Sequence, residues 1–265
     1  MGNCVTSDSI KDKINNARVT KCYYFDNANV SHLNILNDYT PIQRINVFSA
    51  VNNKLHSLPI TFFNGVLSCI KVNLEHNAFT HVDECLLHIA NTIVYLNISF
   101  NNISTLPNDM SVFTALKELN VSHNVISVIP RSVVLMNELE TFHCECNVIT
   151  AFIEELVVVK KLSFLNMSHN RINVVPQQCE WSKSKLVKVD LSYNDIMPPL
   201  PHEMFGLSMI SRLYLKGNKK LKLSHVKECD GYDKYVERRY YVKNEGFDND
   251  LDISFSQCGL EECIE

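Results

Sequence analysis

The chain has 265 residues, 46% hydrophobic and 20% charged, with a formal net charge of −4 at pH 7 and a sequence pI of about 6.2. That length suits one sizeable core or one elongated array, and the mild acidity gives no electrostatic reason to expect nucleic acid as a partner. Glycine is scarce, at 7 residues, so Gly-rich phosphate cradles are not expected, and no apolar run reaches the roughly 18 residues a spanning helix needs.

The first six residues, MGNCVT, read as an address. Met1-Gly2-x-x-x-Thr6 matches the N-myristoylation pattern once Met1 is removed, and Cys4 stands where a second, palmitoyl chain is commonly placed. A lone myristoyl chain binds membranes with K of about 10⁴ M⁻¹, which is reversible, and a second chain makes residence long-lived. Lys11, Lys13, Arg18 and Lys21 add weak attraction to anionic lipid, partly offset by Asp8 and Asp12. No basic start followed by an apolar stretch marks a secretory signal. The expected location is the cytoplasmic face of a membrane, held by lipid.

Residues 7–18 then read as a short amphipathic cap helix, with Ser7 or Asp8 at its N-cap and Ile10, Ile14 and Ala17 on one face.

From 19 to 223 the chain repeats itself. The segments INVFSAVNN, CIKVNLEHN, IVYLNISFN, LKELNVSHN, LETFHCECN, LSFLNMSHN, LVKVDLSYN and ISRLYLKGN end on Asn53, Asn77, Asn101, Asn124, Asn147, Asn170, Asn194 and Asn218, spaced by 23 or 24 residues. A degenerate copy, VTKCYYFDN (Val19–Asn27), precedes them, which makes about nine units. In each unit the fourth and sixth residues should alternate inward along a short strand. The closing asparagine should satisfy backbone groups that would otherwise be buried unpaired. Leu-Pro or a similar pair follows in several units, as at Leu58-Pro59, Leu106-Pro107 and Ile129-Pro130, where proline ends the strand side and starts the return. The unit ending on Asn147 departs from this, with Phe142 and Cys144 in its strand and Phe152 without a following proline. In the first unit Asn29 stands where an apolar residue is expected.

Residues 224–243 should close the array with a final strand and a helix. From 244 to 265 there is no Lys or Arg but there are seven acidic residues, most simply a solvated tail. The ten cysteines read as reduced thiols, with Cys22, Cys69 and Cys144 at core positions.

Segments such as LNVSHN, LNMSHN and VDLSYN resemble the intracellular leucine-rich repeat proteins of the L-P type, across about Val19 to Leu223. The resemblance implies an α/β solenoid, a curved horseshoe with a parallel sheet on its concave face and caps at both ends. It also implies protein recognition, as in Ras-binding scaffolds and in repeat domains attached to metal-dependent Ser/Thr phosphatases of the 2C type. A small GTPase or a phosphatase is therefore the expected kind of partner for what is expected to be a monomer.

If the third, fifth, seventh and eighth residues of each unit face outward, the concave face carries Tyr95, Phe100, His123, His143, Glu145, Phe164, His169, Tyr193, Arg212 and Tyr214, with His76, Glu118, Lys188, Asp190 and Lys216 among them. Exposed aromatics and arginine interleaved with polar groups are what a protein-binding surface offers, although scattered exposed aromatics are also ordinary. His123, Cys146 and His169 share the eighth position of neighbouring units, a spacing from which zinc ligation is conceivable. The simpler reading is that S-H-N is a spelling of the repeat, and no metal or cofactor is expected. The sequons at Asn29, Asn97, Asn102, Asn120 and Asn166 mostly follow from the repeat writing N-x-S, and without a secretory signal they should carry no glycan; an extracellular recognition module is the reading that glycans there would support. No P-loop, zincin, nucleophile-elbow or dinucleotide signature occurs, so no enzyme is expected. The alternative is that the chain is the regulatory repeat portion of a truncated or split 2C-type phosphatase, since ISFSQCGLEECIE faintly resembles the opening strand of such domains.

Overall fold

The structure, a computed structural model, describes residues 7–38 and 42–244. Nine strands run in it: β1 (Cys22–Tyr24), β2 (Arg44–Ser49), β3 (Ser68–Asn73), β4 (Tyr95–Asn97), β5 (Glu118–Asn120), β6 (Thr141–His143), β7 (Phe164–Asn166), β8 (Lys188–Asp190) and β9 (Arg212–Tyr214). They form one parallel sheet in the order of the chain. Register is in step with the repeat, so that Leu96 pairs with Leu119, Phe142 with Leu165 and Val189 with Leu213. Side chains alternate across a strand. The middle residue of each three-residue strand therefore points into the core, as does the residue two further on, giving buried columns such as Leu119–Phe142–Leu165 and Val121–Cys144–Met167.

The returns on the far side are short helices: α2 (Ile60–Phe63), α3 (Glu84–His88), α4 (His202–Gly206) and 3₁₀ turns at Arg131–Leu135, Glu154–Val158 and Trp181–Lys183. Pro59, Pro130 and Pro201 sit at the N-caps of three of them. The 3₁₀ turn at Glu154–Val158 forms behind Ile153 without a proline. There Phe152 is buried and its ring lies 6.0 Å from that of Trp181. Proline is thus helpful but dispensable.

The ninth-position asparagines knit the stack together. Asn124 donates from Nδ2 to the carbonyls of Ile98, Val121 and Ser122, all at 3.1 Å, while its Oδ1 accepts from Ile103 N–H at 2.9 Å. Asn147, Asn170 and Asn194 repeat that pattern one unit further on each time. Each side chain bonds its own turn and the unit before it.

Both ends of the array are covered. At the start, α1 (Ser7–Thr20) buries Ile14 and Ala17, and an aromatic cluster of Tyr23, Phe48, Phe62 and Phe63 lies beyond it, with Tyr23–Phe62 edge-on at 5.3 Å and Phe48–Phe63 at 5.0 Å. At the far end come α5 (Leu223–Lys227) and α6 (Tyr232–Asn244). The Tyr235 hydroxyl accepts from Leu213 N–H at 3.2 Å, and Arg238 Nε donates to the Ile210 carbonyl at 3.0 Å. These bonds occupy backbone groups in and just before β9 that an open sheet edge would leave unpaired.

Four expectations need correction. The first unit is framed one residue later than Val19–Asn27: Cys22 pairs with Val47 and Tyr23 with Phe48. Because the side-chain period is two, that single step sends Tyr23 and Phe25 into the core and leaves Cys22 only half-buried. Ala28 then occupies the ninth position, and the Asp26 carboxylate serves instead, accepting from Ser49 Oγ at 2.6 Å and Val51 N–H at 2.8 Å. Second, no further strand follows β9 among the described residues; the segment after Leu221 turns directly into α5. Third, α1 runs through Thr20 and stops where Lys21 turns left-handed (φ 58°). Fourth, seventh-position serines, Ser99, Ser122, Ser168 and Ser192, are buried rather than outward. The Gly2 and Cys4 motif, the Ser7/Asp8 cap side chains, the Ile10 side chain and most of the acidic tail lie outside the described residues or side chains.

Candidate functional site: the concave sheet surface

Two columns of side chains stand outward on the sheet. The first residue of each strand supplies Tyr95, Glu118, Thr141, Phe164, Lys188 and Arg212, and the third supplies Asn97, Asn120, His143, Asn166, Asp190 and Tyr214. The second column has a structural duty as well. Asn97, Asn120, Asn166 and Asp190 each accept from the N–H two residues on, at 2.9–3.1 Å, which turns the chain off the strand and buries the serine there. This is why N-x-S recurs, and it commits one oxygen of each of these side chains to the fold.

His143 breaks that column. It has no such bond; its Nδ1 lies 3.6 Å from Glu145 Oε2, an ion-pair separation too long for a hydrogen bond, and its ring meets Phe164 edge-on at 5.1 Å. Beyond Phe164, the Lys188 ammonium lies 4.6 Å from the Phe164 ring centroid and 5.7 Å from that of Tyr214. A cation between two ring faces is favourable through the ring quadrupoles. Thus His143, Phe164, Lys188 and Tyr214 form one continuous aromatic-cationic strip across β6 to β9.

A third column follows the strands. The eighth residue of every unit has positive φ, including His76 (53°), Phe100 (53°), His123 (51°), Cys146 (53°), His169 (52°) and Tyr193 (52°), and Gly217 takes the same place at 77°. Residues in this shared conformation project in parallel. Their rings stack: His76 on Phe100 at 4.1 Å, Phe100 on His123 at 3.9 Å and His169 on Tyr193 at 4.3 Å. A Cβ on Gly217 would come within 2.5 Å of the Tyr193 ring, so glycine is what lets that ring lie over the next unit. Cys146 interrupts the stack, half-buried, its thiol pKa pushed up by burial and by the Glu145 charge.

The structure therefore brings the ten candidate residues onto one continuous surface in two groups. Tyr95, Phe100 and Tyr193 are 41%, 37% and 45% exposed, and His123 and His169 are exposed with them; His143, Glu145, Phe164, Arg212 and Tyr214 are half-buried. The His123 and His169 rings stack on Phe100 and Tyr193, and among the described residues no group of three His, Cys, Asp or Glu converges as metal ligands would. Sequence reasoning named the residues but missed the ladder. Its signal was present in the recurrence of His, Phe and Tyr at a single position of successive units. Tyr24, 50% exposed at the near end of the sheet, was also missed because of the framing error in the first unit.

No helix among the described residues is long and apolar enough to cross a membrane. No family model matches the chain, and no curated protein does either. Solved structures do. A leucine-rich repeat protein of Leptospira interrogans is 26% identical with a TM-score of 0.64, over 73% of this chain and 47% of that one. An internalin of Listeria monocytogenes is 17% identical with a TM-score of 0.63, over 78% of this chain and 64% of its own. The complex of Toll with Spätzle from Drosophila matches at 17% identity and a TM-score of 0.56, over 77% of this chain and 33% of that one. The chain thus spans about half to two thirds of the first two proteins it is similar to. With nine parallel strands in chain order and an asparagine bonded across every turn after the first, the fold is that of a leucine-rich repeat solenoid.

Proposed function

We propose that the chain is a protein-binding scaffold of intracellular signalling, which holds a partner on its concave sheet while acyl chains on Gly2 and Cys4 keep it at a membrane. The observation that carries the binding half is the aromatic-cationic surface itself. Phe164, Lys188 and Tyr214 in contact, with Tyr95, Phe100 and Tyr193 exposed, give aromatic anchors in a polar surround, the composition of an interface core. Toll, similar in fold, is found in complex with a protein, Spätzle. The anchoring half rests on the sequence MGNCVT and on the arithmetic of two acyl chains.

Proximity labelling in the native cell separates the two halves. Gly2→Ala should move the protein from the membrane fraction to the cytosol, and Phe164→Glu should leave location intact while removing a subset of labelled neighbours. If Gly2→Ala leaves location and neighbours unchanged, the anchored reading is wrong; if Phe164→Glu changes no neighbour, the concave face is not the partner site.

A further inference from the structure

From His76 to Tyr193 the left-handed column carries a ring in every unit but one. His76, Phe100 and His123 stack at steps of 4.1 and 3.9 Å, and His169 stacks on Tyr193 at 4.3 Å. Cys146 stands between the two stacks with the same backbone conformation (φ 53°) but no ring. Two steps of that size place the His123 and His169 rings roughly 8 Å apart. A planar group in van der Waals contact with both faces needs about 7–8 Å. The interruption is therefore a slot one planar group thick, walled by two exposed imidazoles and floored by the half-buried Cys146 thiol.

The edge of this slot is acidic. Burial and then the Glu145 charge push up the Cys146 thiol pKa, which sets that carboxylate beside the slot. Glu145 Oε2 lies 3.6 Å from His143 Nδ1, is buried, and receives no hydrogen bond. A carboxylate oxygen in that state is short of a donor. Glu118, exposed on neighbouring β5, adds a second negative charge, and the outward columns of β4 to β7 contain no Lys or Arg.

We propose that the slot takes the guanidinium of an arginine presented by the partner protein, stacked between His123 and His169 with its N–H edge toward Glu145. This rests on the concave face being the partner site and names the chemistry of one anchor there. Arginine combines a flat face for both rings with a full charge and a fork of donors suited to a carboxylate. Lysine has the charge without the plane, and tryptophan has the plane without the charge. Cys146 keeps the slot open, because a ring at that position would continue the ladder and fill it.

NMR of the histidine ring signals in the purified full chain, titrated with N-acetyl-arginine amide, tests this. The expected result is that the His123 and His169 signals shift together and saturate. Affinity should be at least about fivefold above that of N-acetyl-lysine amide, since a guanidinium stacks on ring faces where an ammonium cannot. Cys146→Phe should abolish the shifts, and Glu145→Gln should weaken binding roughly threefold or more, as loss of a charge-assisted bond requires. Equal affinity for the lysine probe, tighter binding of N-acetyl-tryptophan amide, or shifts that persist in Cys146→Phe overturn the proposal. So does the absence of a saturable shift in the unsubstituted protein, an outcome that no folding defect of a variant can mimic. Because the readout is the purified chain with a small probe, failure here leaves the Phe164→Glu result in cells standing, and failure of that result leaves these shifts unchanged.

Discussion

Removing one ladder asparagine should cost far more than its surface chemistry suggests. In Asn124→Ala, the N–H of fully buried Ile103 loses its acceptor at 2.9 Å, while the Ile98 carbonyl loses one donor but keeps the bond from Asn101 Nδ2 at 3.1 Å. The Val121 carbonyl keeps the bond from Asn147, and the Ser122 carbonyl keeps the one from Phe100 N–H. One buried backbone group is therefore orphaned, so the loss should be at least about 1–3 kcal/mol. Urea denaturation followed by far-UV circular dichroism measures it, with Asn173→Ala on the exposed surface as reference. Because a solenoid is coupled mainly through neighbouring units, a break in the middle should also lower the apparent m-value as the halves begin to unfold separately. Asn124→Asp keeps the acceptor but turns a carboxylate toward the Ile98 and Val121 carbonyls, so it should be at least as harmful at pH 7 and partly relieved as the pH falls and the group protonates. If Asn124→Ala falls within about 0.5 kcal/mol of Asn173→Ala, the size of a neutral surface change, the bond accounting is refuted.

Two other consequences can be checked alongside it. Gly231, at φ 85°, sits with its missing Cβ 2.4 Å from Gly206 Cα and 2.6 Å from Gly206 N, so Gly231→Ala must push backbone apart and should lower the melting temperature by several degrees, a loss of about 2–4 kcal/mol. Gly206→Ala, whose Cβ meets nothing closer than 3.5 Å, should be tolerated. The second concerns alkali. Burial raises the Cys69 thiol pKa from 9.0 to about 12 and raises those of Cys144 and Cys179 for the same reason. The folded state thus favours the protonated thiols, and their contribution is intact below pH 9 and lost as pH rises from 9 toward 12. Cys69→Ala should flatten that decline in urea titrations taken across the same window; an unchanged slope would show that Cys69 titrates no differently once folded.

The repeat and its core were legible because they are periodic. An apolar fourth and sixth residue and a closing asparagine, recurring every 23 or 24 residues, fix strand direction, register and the inward face at once. The end units escaped for a physical reason: with a neighbour on only one side, they are free to depart from the pattern. VTKCYYFDN lacks the asparagine in its true ninth place, and nothing local distinguishes a frame with Cys22 inward from one with Tyr23 inward. Likewise the alternating Leu221 and Leu223 of LKLSHVKEC suggest a strand, yet beyond Leu221 the chain closes the stack with a helix instead. On the concave face the identity of each side chain could be read, but its conformation could not. The left-handed turn at the eighth residue depends on bonds to the next unit, such as His123 N–H to the Glu145 carbonyl at 2.9 Å, which no single nine-residue segment contains.

That left-handed position supplies the sharpest argument that the concave face was shaped for something other than stability. A non-glycine residue there costs about 1–2 kcal/mol, and glycine or asparagine relieves it. Asn27, Asn52 and Gly217 follow that logic, whereas His76, Phe100, His123, His169 and Tyr193 do not. Stacking returns part of the cost, about 0.5–1.5 kcal/mol for each ring pair, and Phe100 makes two such contacts, with His76 and His123. The two terms nearly cancel. Phe100→Gly should therefore leave urea stability within about 1 kcal/mol of the parent, while opening a gap in an aromatic ladder that a partner would meet. Stability holding while the set of labelled neighbours shrinks would tie the ladder to recognition. A loss above about 3 kcal/mol, the size expected of a buried aromatic, would make Phe100 a core residue in effect and remove the reason to read its column as a binding surface.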